Sequence, residues 1–89
     1  EPRAFVLRQN HPNPFNPSTK IRFQVPDRGL VRLQVFDILG REAATLVNDV
    51  LPRGSYETTF DASRLSSGIY FYRLQTGQLT EERRMLLLR

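Results

Sequence analysis

Asn13-Pro14-Phe15-Asn16-Pro17-Ser18 is a stretch in which two Asn-Pro pairs enclose a single aromatic residue. Proline fixes φ, lacks a backbone N–H and disfavours the helical conformation of the residue before it. Neither a helix nor an interior strand is therefore expected to run through residues 13–17. Asparagine side chains can close such a turn by bonding to backbone amides, which leaves Phe15 to anchor the loop against a core. We predict a rigid structural motif made of Asn13, Pro14, Phe15, Asn16 and Pro17; a loop without chemistry is the simplest interpretation of it.

The residues that follow this loop alternate between apolar and polar side chains. Segments 19–25 and 30–37 repeat apolar residues at every second position: Ile21, Phe23 and Val25 in the first, and Val31, Leu33 and Val35 in the second. This period is typical of strands that bury one face and expose the other. Residues 26–29 have the proline and glycine of a tight turn, so we expect the two strands to lie antiparallel beside each other.

Further short strands are predicted at residues 5–9, 42–47, 55–60, 68–74 and 79–88. The phase of segment 42–47 is ambiguous, since Ala43, Thr45 and Val47 compete with Ala44 and Leu46 for the core, and a short helix over residues 41–47 remains an alternative. Segment 68–74 is apolar on both faces, as expected of a central strand. Residues 61–68 are expected to form a corner between two sheets, with Asp and Ser side chains capping one helical turn.

These elements predict an all-β fold: an antiparallel, two-sheet, immunoglobulin-like sandwich of about seven strands. The length of 89 residues suits one domain. We expect residues 1–89 to form that single domain, with residues 1–4 as a linker to a preceding protein.

Composition and motifs argue against several classes of function. The net charge of +4 comes from twelve arginines and one lysine, which are dispersed rather than clustered as on a nucleic-acid-binding surface. The sequence has no cysteine and no apolar run that approaches the ~18 residues of a membrane span. The single histidine, His11, lies beside a proline, and the sequence has no nucleophile and acid spaced so as to form a catalytic group with it. We therefore predict no enzymatic activity, cofactor, metal site, membrane span or nucleic-acid partner.

Four stretches in order along the chain resemble the C-terminal sorting domain of type IX secretion substrates. They are Gln9-Asn10-His11-Pro12-Asn13-Pro14-Phe15-Asn16-Pro17-Ser18-Thr19, Val35-Phe36-Asp37-Ile38-Leu39-Gly40-Arg41-Glu42, Ser67-Gly68-Ile69-Tyr70-Phe71-Tyr72-Arg73-Leu74 and Arg84-Met85-Leu86-Leu87-Leu88. Each stretch is weak evidence alone, whereas their order and spacing are specific. The resemblance implies a removable module of large secreted enzymes and adhesins in Bacteroidetes-like bacteria, with a sandwich similar to that of flagellar hook-cap proteins.

The resemblance also implies partners and a route. The protein would pass through the periplasm, be recognised by the outer-membrane translocon, and be cut by a sortase-like cysteine peptidase that attaches the passenger to the cell surface. The residues implied in sorting are Gly68 and Tyr70, from a Gly-x-Tyr motif, and the basic then apolar ending Arg83, Arg84, Met85, Leu86, Leu87, Leu88 and Arg89. The predicted structural motif also includes Gly40 and Arg41. Arginines stand here where lysines are common in the family's ending.

Two other functions fit a small β-sandwich. One is a carbohydrate-binding or adhesive module of a polysaccharide-degrading enzyme, and the other is a structural spacer. The sequence lacks tryptophan, and alternation places Tyr56, Tyr70 and Tyr72 in a core rather than in an exposed row that stacks on sugars. Ile69 and Phe71 lie on the opposite face of their strand, and their exposure would mark a patch for a partner or a homodimer.

Overall fold

A computed structural model describes residues 4–89 as seven strands in two antiparallel sheets. The strands are β1 (Val6–Leu7), β2 (Ser18–Val25), β3 (Gly29–Phe36), β4 (Glu42–Leu51), β5 (Gly54–Asp61), β6 (Gly68–Thr76) and β7 (Leu79–Leu87). One sheet has the order β1-β2-β5 and the other β4-β3-β6-β7. The predicted all-β sandwich of about seven strands is confirmed. Within residues 4–89, no helix has the length and apolar character needed to cross a membrane.

The core lies between the two sheets and is filled by alternate residues of their strands. Its completely buried side chains include Ile21, Val25, Val31, Leu33, Val35, Tyr72, Leu74 and Leu87. Strand β6 lies between β3 and β7, so the prediction of a central strand at residues 68–74 is confirmed. The inward positions predicted in β2 and β3 are also confirmed.

Strands β2 and β3 do not pair with each other, contrary to the sequence-based prediction. Strand β2 pairs with β1 and β5, whereas β3 pairs with β4 and β6. The turn after Val25 therefore carries the chain from one sheet to the other. Apolar alternation is the same for strands that are neighbours in a sheet and strands that face each other across a core, so the pattern does not distinguish the two arrangements.

The ambiguous phase of β4 has a structural cause. The pairing of β3 with β4 shifts register between Leu33 and Gln34 and again between Val35 and Phe36. A bulge places two consecutive residues opposite one residue of the partner strand. Ala43 and Ala44 therefore both pack against the core, as do Leu46 and Val47. The strand prediction is confirmed over a longer range, and neither single phase was right.

Two boundaries differ from those predicted. Strand β1 contains only Val6–Leu7, because the chain leaves the sheet before Gln9 to form the Asn-Pro loop. Residues 61–68 do cross between the sheets, but through a hydrogen-bonded turn instead of a helical turn: the Leu65 N–H donates to the Ala62 carbonyl at 2.9 Å. The expected linker at residues 1–4 lies almost entirely outside the described residues.

Candidate functional site

The four stretches singled out in the sequence come together at one end of the sandwich. The Phe15 N–H donates to the Leu86 carbonyl at 3.0 Å, and the Ala62 N–H donates to the Pro17 carbonyl at 2.9 Å. The hairpin between β3 and β4 lies at the same end, because Phe36 pairs with Phe71 near the start of β6. We call this region the motif end; it consists of residues 11–17, 37–41, 61–68 and 85–89.

The Asn-Pro loop connects the two sheets at the motif end. His11 bridges to Lys20 on the three-stranded sheet, and Phe15 bridges to Leu87 on the four-stranded sheet. The Asn13 Oδ1 atom accepts a hydrogen bond from the Leu86 N–H at 3.0 Å, and the Leu88 N–H donates to the Phe15 carbonyl at 3.0 Å. The loop thus closes the outer edge of β7 where the strand ends.

Phe15 anchors this loop in the core, as the sequence predicted. Only 2% of the residue is exposed, and its ring lies 6.1 Å from the ring of Phe60 in a tilted arrangement. Three peptide bonds of the loop region, those preceding Pro12, Pro14 and Pro17, are cis.

A buried polar network supports the loop from beneath. The Tyr72 hydroxyl donates to the Arg8 carbonyl at 2.7 Å and accepts from the Asn10 N–H at 2.8 Å. The Asn10 side chain donates to Thr19 Oγ1 at 3.0 Å, and the Thr19 hydroxyl donates to the Pro12 carbonyl at 2.8 Å. Burial raises the pKa of Tyr72 to about 12. This network is not predictable from the sequence, since nothing in the spacing of Asn10, Thr19 and Tyr72 indicates that they meet.

The hairpin at residues 37–41 is organised by one carboxylate. Asp37 Oδ1 accepts from the N–H groups of Leu39 and Arg41, each at 2.9 Å, and Asp37 Oδ2 accepts from Arg41 Nε at 2.8 Å. The hydrogen bond from the Arg41 backbone is the main cause that lowers the pKa of Asp37. Gly40 has φ of 81°, in the left-handed region that favours glycine. The Asp-x-x-Gly spacing of residues 37–40 is a sequence signal that could have identified Asp37, whereas the predicted structural motif contains only Gly40 and Arg41 of this turn.

This hairpin presents two apolar side chains at its tip. Ile38 is 68% exposed and Leu39 is 71% exposed. Their backbone is held by the Asp37 carboxylate, so the two side chains project from a well-defined turn. Neither residue is among the sorting residues predicted from the sequence.

The predicted sorting residues of the C-terminal segment divide into buried and exposed groups. Met85 and Leu87 face the core and are completely or almost completely buried. Leu86 is half-buried, and the exposed residues are Arg83, Arg84, Leu88 and Arg89. The Arg89 guanidinium nevertheless donates through Nη1 to the carbonyls of Ser63 at 2.5 Å and Leu65 at 2.8 Å. The segment is therefore fastened to the corner between the sheets.

Gly68 and Tyr70 form the other side of that corner. Tyr70 is 7% exposed, and its hydroxyl donates to the Ser66 carbonyl at 2.7 Å. Gly68 opens β6 with φ of 153°, a conformation that side chains disfavour. Gly68 and Tyr70 therefore shape the turn from within, and the Tyr70 side chain offers little surface to a partner.

Tyr56 and the acidic residues are relevant to two other kinds of site, a sugar-stacking surface and a metal site. Tyr56 is half-buried and stacks on Phe23 with the ring centroids 5.5 Å apart. Across residues 4–89, no group of three or more His, Cys, Asp or Glu side chains is arranged to hold a metal ion.

Comparison with known proteins places the chain in a family. A search of the curated proteins found no match to it. A family model described as a secretion system C-terminal sorting domain matches residues 10–87, from the buried Asn10 to the last residue of β7. This match covers most of the chain and includes nearly all of the motif end. The chain therefore belongs to the family of secretion system C-terminal sorting domains, which are sorting signals of type IX secretion.

Proposed function

We propose that this domain directs a passenger protein, joined before residue 1, through the type IX translocon across the outer membrane. In this proposal the motif end is the surface that the secretion machinery recognises. The supporting observation is the convergence of stretches that are far apart in sequence, around residues 15, 40, 68 and 87, at one end of the sandwich. Such a surface exists only in the folded domain and is the same whatever passenger precedes it.

The direction of the chain supports this arrangement. Val6 of β1 pairs with Gln24 near the end of β2, whereas Ser18, the first residue of β2, lies beside the motif end. A passenger joined before β1 would therefore lie toward the opposite end, with the motif end left accessible. The domain measures 40 × 23 × 16 Å along its principal axes.

The finer route follows from the family resemblance. The passenger and its domain first reach the periplasm, and the translocon then carries them across the outer membrane. A sortase-like cysteine peptidase cuts before the domain and attaches the passenger to the cell surface or releases it. The domain itself has no catalytic task in this proposal.

The test is a fusion of a signal peptide, a fluorescent reporter and residues 1–89, expressed in a bacterium with type IX secretion. We expect reporter outside the outer membrane in the parent strain and periplasmic reporter in a strain without a working translocon. A reporter that stays periplasmic in both strains would contradict the proposal. A glycan-binding screen of the purified domain would then test the carbohydrate-binding alternative.

Truncation of the C-terminal segment is a poor version of this test. Deleting residues 85–89 should abolish export, but it also removes Met85 and Leu87 from the core. Loss of two buried apolar side chains would unfold much of a domain this small. Substitution of exposed residues at the motif end separates recognition from folding.

A further inference from the structure

The outer face of the four-stranded sheet carries apolar side chains toward the motif end. Residues of β3, β6 and β7 that alternate with the buried ones point away from the core. By the register of the strands, Phe36 lies opposite Phe71, and Ile69 lies opposite Leu86. We call this group, together with the hairpin tip and the exposed end of β7, the outer apolar patch: Phe36, Ile38, Leu39, Ile69, Phe71, Leu86 and Leu88.

Several members of the outer apolar patch are open to solvent. The exposed fractions are 68% for Ile38, 71% for Leu39, 40% for Ile69 and 50% for Leu88. The Phe36 ring is covered by the Arg73 guanidinium, 4.7 Å from the ring centroid, which closes the patch toward the middle of the sheet. The strand members of the patch are neighbours by register, and an exposed apolar surface with a polar boundary is typical of an interaction site.

One cation within this surface has no carboxylate partner. Arg84 lies opposite Phe71 on the outer face, and no ion pair joins it to another residue in the described part of the chain. Nearby acidic side chains are engaged: Glu82 pairs with Arg73 at 3.3 Å, and Glu42 accepts hydrogen bonds from Gln34 and Thr45. Asp37 is held by its own hairpin. A partner that covers the patch must therefore supply an acceptor to Arg84.

We propose that the outer apolar patch and Arg84 dock a protein of the type IX machinery whose contact surface is apolar and carries a carboxylate opposite Arg84. This inference rests on the proposed function. A second copy of the domain fits less well, because pairing two outer apolar patches brings a second Arg84, while the acidic side chains beside the patch, Asp37, Glu42 and Glu82, are already engaged. The buried Met85 and Leu87 then hold the patch in shape, while Ile38, Leu39 and Leu88 make the contact.

The first test compares two double variants in the reporter fusion. The double variant Ile38→Ser with Leu39→Ser replaces the apolar side chains of the hairpin tip by polar ones. The double variant Leu30→Ser with Val50→Ser is the matched control. Leu30 and Val50 are paired on the same sheet toward its other end and are 46% and 48% exposed. We expect exported reporter to fall roughly tenfold or more for the first variant and to stay within about twofold for the control.

A charge variant tests the role of Arg84. Arg84→Glu should also reduce export roughly tenfold, while Arg32→Glu, on the same outer face in β3, should not. Thermal unfolding of each purified domain identifies any variant that has lost its fold. Normal export of the double variant (Ile38→Ser with Leu39→Ser) and also of Arg84→Glu would overturn the inference. If the parent fusion itself is not exported, the proposed function is overturned instead.

Crosslinking identifies the partner without relying on any loss of export. A photoreactive benzoylphenylalanine at position 39, in the secreting strain, should form an adduct with a protein of the type IX machinery that disappears when that protein is deleted. The same group at position 30 should not form it. Adducts only with a second copy of the fusion, or identical adducts from both positions, would overturn the inference. Sedimentation of the purified domain should show a monomer.

Discussion

Phe15 and Leu87 lie side by side in a parallel bridge, although they come from opposite ends of the chain. The bridge joins the Asn-Pro loop to the edge of β7, so the loop serves as a short additional strand at the motif end. Unpaired strand edges invite association with other chains. A partner that adds a strand at this part of β7 would have to displace residues 13–15 first.

Replacing Phe15 by alanine should destabilise the domain by about 3–5 kcal/mol, because the ring is buried against Phe60. Urea denaturation followed by circular dichroism measures the change. Phe71→Ala, which truncates a half-buried ring on the outer face, is the matched control and should cost less. A loss below about 1 kcal/mol for Phe15→Ala would show that the loop is not anchored through this ring.

Gly40→Ala should destabilise the domain by about 1–2 kcal/mol, since φ of 81° is unfavourable for a residue with a Cβ atom. Space is not the cause, because a Cβ atom there would meet nothing within 4 Å. Gly29→Ala is the control: its Cβ would lie 3.7 Å from Thr76 Oγ1, an ordinary contact, without a positive φ. Equal urea midpoints for Gly40→Ala and the parent would contradict the prediction.

Tyr72 should make the domain sensitive to alkaline pH. Its pKa is raised by burial to about 12 in the folded state from the ordinary value of 10.0, so folding favours the protonated hydroxyl. The stabilisation of the fold by the protonated Tyr72 hydroxyl is complete below pH 10.0. It declines as the pH rises toward 12, by about 3 kcal/mol in all. The free energy of unfolding, measured by urea titration from pH 9 to pH 12, should fall over this range.

The Tyr72→Phe variant is the control for this pH dependence. It should be less stable than the parent at neutral pH by about 1–3 kcal/mol, because the Asn10 N–H and the Arg8 carbonyl lose their partner. Its stability should then vary less between pH 10 and 12. Identical alkaline losses in parent and variant would assign the effect to other groups.

Asp37 should retain its charge at unusually low pH. Its pKa lies below the ordinary value of 3.8, first because of the hydrogen bond from the Arg41 backbone. A carboxyl group with a depressed pKa stabilises the fold at pH values above its pKa in the unfolded chain. This stabilisation is lost as the pH falls through its pKa in the folded state. Carbon-13 NMR titration of the carboxyl group measures the pKa. In Arg41→Gln it should rise only partly, since the backbone donors remain.

Variants at Met85 and Leu88 should show whether export depends on the stability of the domain or on its exposed surface. Met85→Ala should cost about 2–5 kcal/mol in unfolding free energy, because Met85 is 1% exposed in the core. Leu88→Ala should change stability by less than about 0.5 kcal/mol, since half of that residue is exposed. We expect Leu88→Ala to reduce export nonetheless. If export instead follows unfolding free energy alone across both variants, the exposed end of β7 has no role in recognition.

Local residue patterns were sufficient for the strands and several turns. Alternation located β2 and β3 and their inward residues, and proline and glycine marked the loops. The same patterns failed where the information is not local. Nothing between Val25 and Val31 indicates whether the chain stays in one sheet or crosses to the other, and the bulges of β4 gave a pattern without one phase.

The sequence by itself determined the all-β class, the family and the set of sorting residues to consider. The family follows from the order and spacing of motifs, which are properties of the linear chain. Only the tertiary structure decided which of these residues are available to a partner. Tyr70, Met85 and Leu87 are buried while Arg84, Leu88 and Arg89 are exposed, because exposure depends on which sheet face and which neighbours each side chain meets. Contacts between distant segments, such as Phe15 with Leu87, set those neighbours.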